Sequence, residues 1–521
     1  MKQFSLRIDS PVNGIYLNSE TIDLLSIIQC KNIEELQKFV LECSQFNVSE
    51  ADMINWREND IENIKRRLVE QYKKTLIPLK QKIMDRNSVV RSVLEHSGIY
   101  DKKYIKLFLK GGYEGFVSRL QEENPEQYNS VAEKSHRFIA SERVQIKSVT
   151  YEELLGLNEN LHNHNTVLVA SGRFYDVTKK LYNENIPNME KYDFYYPKRA
   201  LDFCYRNGMN VRYHTLLDKQ TLEDYFKGKS KQEILKELKE YVKRSIDFIS
   251  KYNEEHKING KGIINSVDLF NEIISFDEPY RNMWQELYGI STQELVEVFG
   301  YAYDNKPDGV KYLYNEPFLE NHERRKAVID QLEEINEHIP LIDTLGSQMH
   351  IVMTQDIGEI KKCFYDLKKL EKAGIGIQIT EFDMCLPEKF LFDEKGRISK
   401  KYSPEFIYNY KEQKIKEISD AINETEIQIE GITYWSVSDK LDHNLERTNT
   451  ATYQKGLKRE IANSRYAGLY TGLERSRTKS VEDLCRETSE EQTDVELIAN
   501  IEKEGKKKKE GNKDLNENVQ G

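Results

Sequence analysis

The chain has 521 residues, 38% of them hydrophobic and 32% charged, the balance of a globular protein with a well-solvated surface. Its formal net charge is −11, and no concentrated basic face points to a nucleic-acid partner. No run approaches the roughly 18 apolar residues of a membrane span, and six cysteines without CxxC or CxH spacing argue against a disulfide framework or a zinc site.

Residues 1–10 carry no apolar h-region and no small-residue cleavage site, so a cytoplasmic protein is expected. Residues 1 to about 150 read as mostly helical, since 61–77 and 87–98 place apolar side chains at three-and-four spacing among many charges. That stretch holds no recognisable chemistry, and the expectation is a helical accessory region at 1–150. From about 165 the texture changes to short apolar runs alternating with amphipathic helices. Candidate strands lie at 166–171, 210–216, 263–270, 310–314, 341–351, 374–380 and 428–437, with helical runs near 221–255, 284–304, 319–338, 357–373 and 404–422. Such alternation predicts a parallel sheet, and seven units over some 300 residues suit a (β/α)8 TIM barrel, assigned to 151–475. Neither GxGxxG after a strand nor GxxxxGK[ST] occurs, so nucleotide binding has no local support. Residues 476–521 are polar, include Lys506, Lys507, Lys508 and Lys509, and predict a disordered, solvated tail.

Two of the candidate strands stop on a glutamate. They read Val267-Asp268-Leu269-Phe270-Asn271-Glu272 and Ile377-Gln378-Ile379-Thr380-Glu381-Phe382-Asp383. Paired carboxyls at the ends of parallel strands are what glycoside hydrolysis needs: one protonates the leaving oxygen while the other attacks or stabilises the sugar cation. Strand ends hold such groups rigidly, as barrels do at their C-terminal face. Asn-Glu occurs eight times in the chain, but only at Asn271 and Asn315 does it close an apolar, β-rich run. That context singles out Glu272.

The strand ends form an ordered series. Strand three carries Val211-Arg212-Tyr213-His214-Thr215-Leu216, four ends in Asn271-Glu272, and five in Tyr312-Leu313-Tyr314-Asn315-Glu316. Strand six is Asp343-Thr344-Leu345-Gly346-Ser347-Gln348-Met349-His350, seven ends in Glu381-Phe382-Asp383, and eight carries Tyr434-Trp435-Ser436-Val437-Ser438-Asp439. Over roughly 185–475 this series resembles glycoside hydrolase family 10, best known for endo-β-1,4-xylanases. The resemblance implies Glu272 as general acid/base and Glu381 as nucleophile of a retaining double displacement. It implies that His350 hydrogen-bonds the nucleophile, that Asp383 holds that histidine, and that Asn271 contacts the sugar 2-hydroxyl. His214, Gln348 and Asn315 would line the cleft, with Trp435 as its aromatic floor. Asn188 and Lys191, in Pro187-Asn188-Met189-Glu190-Lys191-Tyr192, stand loosely where the family has an asparagine and a lysine after strand two. The implied partner is a β-linked oligosaccharide or polysaccharide, xylan above all, with no cofactor and no metal.

Electrostatic reasoning on the residues agrees. Glu272 has to stay protonated near neutral pH, which a desolvated site or the nearby charge of Glu381 would favour; Glu381 has to stay ionised, with His350 as the obvious donor. The chain departs from the family at substrate-contact positions. Asp218 and Lys219 stand where the family has a tryptophan and a second histidine, and the family's second tryptophan after strand eight falls near His443, in a stretch without one. Two other readings therefore remain open: a related barrel glycosidase acting on β-glucosides or β-galactosides, and a non-catalytic carbohydrate-binding barrel.

Overall fold

The computed structural model describes residues 12–43, 48–83, 122–123, 125, 149–161, 164–170, 192, 194–219, 222, 225–276, 278–385 and 404–435. Among them, eight parallel strands close on themselves: β1 (Val12–Leu17), β2 (Thr166–Ala170), β3 (Asn210–His214), β4 (Ile264–Asn271), β5 (Lys311–Glu316), β6 (Thr344–Ser347), β7 (Gly376–Cys385) and β8 (Ile429–Tyr434). Each pairs with the next in chain order, and β8 pairs with β1 to complete the ring. Two short segments extend it at the C-terminal rim, Leu217–Asp218 beside β4 and His350–Val352 beside β7.

The pleat explains the composition of the strands, because successive side chains point to opposite faces. Val211, Tyr213, Val267, Leu269, Tyr312, Tyr314, Ile377 and Ile379 belong to the main apolar core under the helices. The alternate positions turn into the barrel and are largely polar: Arg212, His214, Asp268, Asn315, Thr344 and Thr380 are all buried. Outside the ring, the helix Lys231–Glu255 opens on a capping box between Ser230 and Glu233 and buries Ile234, Leu238, Tyr241, Val242, Ile246 and Ile249 along one face. The helical segments expected at 284–304, 319–338, 357–373 and 404–422 are also present, the first broken into Met283–Tyr288, Thr292–Val298 and Gly300–Asp304.

The expected helical N-terminal region is present, and the first barrel strand also lies within residues 1–150: β1 sits between β8 and β2. This strand is short, with a glycine near its middle, which weakens its β signal. The glycine has a reason: a Cβ at Gly14 would lie 2.6 Å from Thr433 Oγ1 on β8. The helices Ser19–Gln29, Ile33–Glu42, Glu50–Ile54, Ile61–Ile83 and Tyr151–Leu161 then form a greatly enlarged connection from β1 to β2. It is bolted to the barrel through Asp23, which accepts from Tyr72 Oη at 2.7 Å and pairs with Arg199 on the helix Tyr195–Arg206. Burial pushes the Asp23 carboxyl up to about 6, against the pull of Arg199. The expected second helix at 87–98 and the tail at 476–521 lie outside the described residues.

No helix among the described residues is long and apolar enough to cross a membrane. Among the described residues, Cys30, Cys43, Cys204 and Cys363 are buried and form no disulfide.

Candidate active site

The C-terminal ends of β3 to β8 bring together most of the residues singled out from the sequence. Asn271 is the last residue of β4, and Glu272 follows with φ of 56°, a left-handed conformation uncommon for a side chain of this size. The Glu272 N–H still reaches across to Asn315 O at 3.0 Å, so the strand end is anchored where its direction changes. The Glu272 carboxyl is half-buried and accepts from Gln348 Nε2 at 2.9 Å. That same amide lies 3.4 Å from Asn271 Oδ1.

Glu381, on β7, is buried and served on both oxygens. Asn315 Nδ2 donates to Oε1 at 2.8 Å, and His350 Nε2 lies 3.2 Å from Oε2. The other nitrogen of His350, Nδ1, is 2.9 Å from Asp383 Oδ1. Both ring nitrogens of His350 thus face carboxylate oxygens. Burial alone would raise the Glu381 carboxyl. The hydrogen bond from His350 and the electrostatic pull of His214, His350 and Arg212 overcome it and bring the group down to about 2.

Beneath Glu381 the barrel interior is an ion-paired layer. His214 Nδ1 lies 2.7 Å from Asp268 Oδ2, Arg212 Nε lies 3.4 Å from Asp268 Oδ1, and Arg212 Nη2 donates to Thr380 O at 3.1 Å. Three charged or ionisable groups can be this deeply buried only because they neutralise one another. With Nδ1 committed to Asp268, His214 keeps Nε2 for a ligand.

Trp435 follows β8 and packs at ring-centroid distance 4.3 Å and 17° on Tyr16 of β1, with His350 meeting it edge-on at 5.5 Å. Tyr16, Leu168 and Trp435 form an apolar cluster separate from the main core. Phe276 and Phe318 meet edge-to-face at 6.1 Å on the loops after β4 and β5, 36% and 39% exposed. Lys219 Nζ lies 3.7 Å from the Phe276 ring centroid and so borders this aromatic shelf.

Asn315 is among the residues expected to line the cleft. Its side chain is fully buried, with Nδ2 donating to both Asn271 Oδ1 (2.9 Å) and Glu381 Oε1, while Oδ1 accepts from Thr380 Oγ1. An inward-facing asparagine between two polar strands spends its amide on them. Gly346 on β6 makes the space, because a Cβ there would lie 2.6 Å from Asn315 Oδ1 and 2.8 Å from Thr380 Cγ2. Asn188 and Lys191 lie outside the described residues. Sequence reasoning did not assign roles to Tyr16, Asp268, Thr380, Glu316 or Arg324. Glu316 had a visible signal, since Asn315-Glu316 is the second Asn-Glu pair to end an apolar strand. Burial pushes its carboxyl up to about 7, against Arg324 and the Ile274 N–H, with Glu272 adding to the rise. Among the described residues no group of three or more His, Cys, Asp or Glu side chains could hold a metal ion.

Comparison with known proteins adds a family. The family model described as Glycosyl hydrolase family 10 matches residues 159–462, more than half of the chain. The match begins after β1 and most of the enlarged connection. The chain is 26% identical over 282 residues to the Beta-1,4-xylanase of Dictyoglomus thermophilum, covering 51% of this chain and 74% of that protein. It is 26% identical over 264 residues to Endo-1,4-beta-xylanase A of Thermoanaerobacterium saccharolyticum, covering 49% of this chain and 21% of that one. Exoglucanase XynX of Acetivibrio thermocellus matches at 26% over 264 residues, 49% of this chain and 22% of that one. The chain thus spans only about a fifth of the last two. Among solved structures, the intracellular xylanase TsXylA of Thermoanaerobacterium saccharolyticum with xylotetraose is 22% identical, with TM-score 0.43, covering 54% of this chain and 80% of that one. Native xylanase 10B of Thermotoga maritima is 19% identical, with TM-score 0.45, covering 61% and 91%.

Proposed function

Because the chain belongs to glycosyl hydrolase family 10, we propose that it hydrolyses β-1,4-xylosidic bonds in xylan or xylo-oligosaccharides by a retaining double displacement. The observation that carries this reading is the contrast between two carboxyls on one barrel face. Glu381 receives donors on both oxygens and is held down to about 2, while Glu272 is half-buried and receives one neutral amide, from Gln348. Paired carboxyls in such unlike environments suit a permanently ionised nucleophile and a proton-exchanging partner.

In the first step Glu381 attacks the anomeric carbon and forms a glycosyl ester, while Glu272 gives its proton to the departing oxygen. In the second, Glu272 takes a proton from water, and the resulting hydroxide equivalent displaces Glu381. His350, held by Asp383, stabilises the Glu381 carboxylate. Asn271 and the free Nε2 of His214 are placed to meet sugar hydroxyls, and Trp435 supplies an aromatic surface beside His350. Asn188 and Lys191 are proposed substrate contacts on sequence grounds alone.

Names of two of the relatives point to xylan. A β-glucoside or β-galactoside is the second reading, kept open by Asp218 and Lys219 at substrate-contact positions, with an exoglucanase among the relatives on the glucoside side. Release of nitrophenol from aryl β-xylobioside, xyloside, glucoside and cellobioside separates the two. Turnover on xylobioside that disappears in both Glu272→Ala and Glu381→Ala is expected. Turnover confined to the glucosides would keep the mechanism and change the substrate, and none on all four in folded protein would refute the reading.

A further inference from the structure

We propose that the buried Glu316–Arg324 pair is a positioning device for the Glu272 carboxyl and so governs proton donation to the leaving group without touching substrate. The inference rests on the acid/base role given to Glu272 above.

Arg324 lies in the first turn of the helix His322–His338, where the helix dipole disfavours a cation, and its side chain is only 2% exposed. A buried guanidinium at that position needs compensation, and hydrogen bonds and aromatic rings supply it. Nη2 donates to Glu316 Oε2 at 2.7 Å and to Ile274 O at 3.3 Å. Nη1 donates to Ser275 O at 2.5 Å, Nε donates to Pro317 O at 2.8 Å, and the group lies 5.0 Å from the Phe276 ring centroid. Glu316 in turn accepts from Ile274 N at 3.0 Å through Oε1. The hydrogen bonds and the nearer ring all fall on residues 274–276 or 316–317, just after β4 and at the end of β5; a second ring, Tyr280, lies 5.7 Å away.

Those segments fix Glu272 from both sides. Residues 274 and 275 follow it by two and three positions, and Glu272 itself sits in the left-handed region, a conformation that persists only where its surroundings impose it. Glu316 O accepts from Gln348 N at 3.1 Å, and the Gln348 side chain is the donor to Glu272 Oε1. The pair therefore controls both the backbone that aims the acid and the amide that orients its carboxyl. A buried ion pair adds little net stability compared with apolar side chains of similar volume, so specific placement of the Glu272 loop is what this one contributes.

A leaving-group comparison tests the idea on the full chain. Glu316→Gln, Glu316→Asp and Arg324→Lys are assayed on phenyl β-xylobioside, whose departure needs a proton, and on dinitrophenyl β-xylobioside, whose departure does not. For Glu316→Gln, kcat/KM should fall about 10- to 100-fold on the phenyl substrate and stay within about 3-fold on the dinitrophenyl one. Glu316→Asp should recover part of the loss. An equal loss on both substrates, or no loss on the phenyl substrate, would overturn the proposal. If Glu316→Gln does not fold, Arg324→Lys carries the same comparison, since it keeps the charge and gives up the fork of contacts. A parent protein inactive on both substrates would instead remove the reading on which the proposal rests.

Discussion

Asn315 Nδ2 lies 2.8 Å from Glu381 Oε1, so the end of β5 holds one oxygen of the carboxylate at the end of β7. The same nitrogen reaches Asn271 Oδ1 at 2.9 Å, which makes one amide the link between three strand ends. Asn315→Asp replaces a donor with a negative charge beside Glu381. The Glu381 carboxyl should then ionise less readily, and the acid limb of kcat/KM against pH should move to higher pH. Activity at pH 7 should drop about 100-fold or more, since a like charge also opposes nucleophilic attack. An unshifted acid limb would show that Asn315 does not tune the nucleophile.

Gly346 stands beside that amide. A methyl group there would meet Asn315 Oδ1 and Thr380 Cγ2 well inside contact distance, and both neighbours are fully buried. Gly346→Ala should cost about 1–3 kcal/mol of stability, the usual range for overpacking. It should also lower kcat by displacing Asn315 from Glu381. Thermal melts and steady-state kinetics on the same preparation check both, and a destabilised variant with parental kcat would uncouple the glycine from the site.

The pH dependence of stability follows from Glu381. Its folded-state value of about 2 lies below the ordinary 4.5, so its contribution is present above pH 4.5 and is lost as pH falls toward 2. The full difference corresponds to about 3 kcal/mol. Comparing the parent with Glu381→Gln cancels the other carboxylates. The parent's stability relative to the variant should decline between about pH 5 and pH 3 and stay level from pH 5 to 7. A constant difference across the whole range would contradict the depressed value.

Much of this architecture was legible in the chain because it is written in short-range patterns. The seven strands from Thr166 onward announce themselves as apolar runs between amphipathic helices, and the carboxyls at 272 and 381 mark two of their ends. β1 was not legible. Six residues with Gly14 inside them carry little β preference, and the strand exists because β8 and β2 pair with it on either side. The burial of Asn315 was hidden for a related reason. Periodicity places a side chain inside the barrel, but whether its amide meets a ligand or its neighbours depends on Thr380 and Gly346, which come from other strands. Arg324 was equally hidden, since a helix start normally favours acidic residues.

Tyr16 and Trp435 supply the last prediction. Their rings stack at 4.3 Å, and Trp435 also meets His350, the partner of Glu381, nearly at right angles. Tyr16 lies on β1, outside the stretch matched by the family model, so Trp435 packs on a residue from the far side of the enlarged connection. An aromatic pair of this kind is worth about 0.5–1.5 kcal/mol beyond area burial. Tyr16→Leu keeps the apolar contact with Leu168 and loses the stack. If Trp435 forms the floor of the cleft, KM for xylobiosides should rise about 3- to 10-fold, in line with that energy, with kcat changing less. Tyr16→Phe should restore the parental KM, because the stack depends on the ring and not on the hydroxyl. Equal kinetics for Tyr16→Leu and the parent would show that Trp435 holds its place without Tyr16, and the role of β1 would then be limited to closing the barrel.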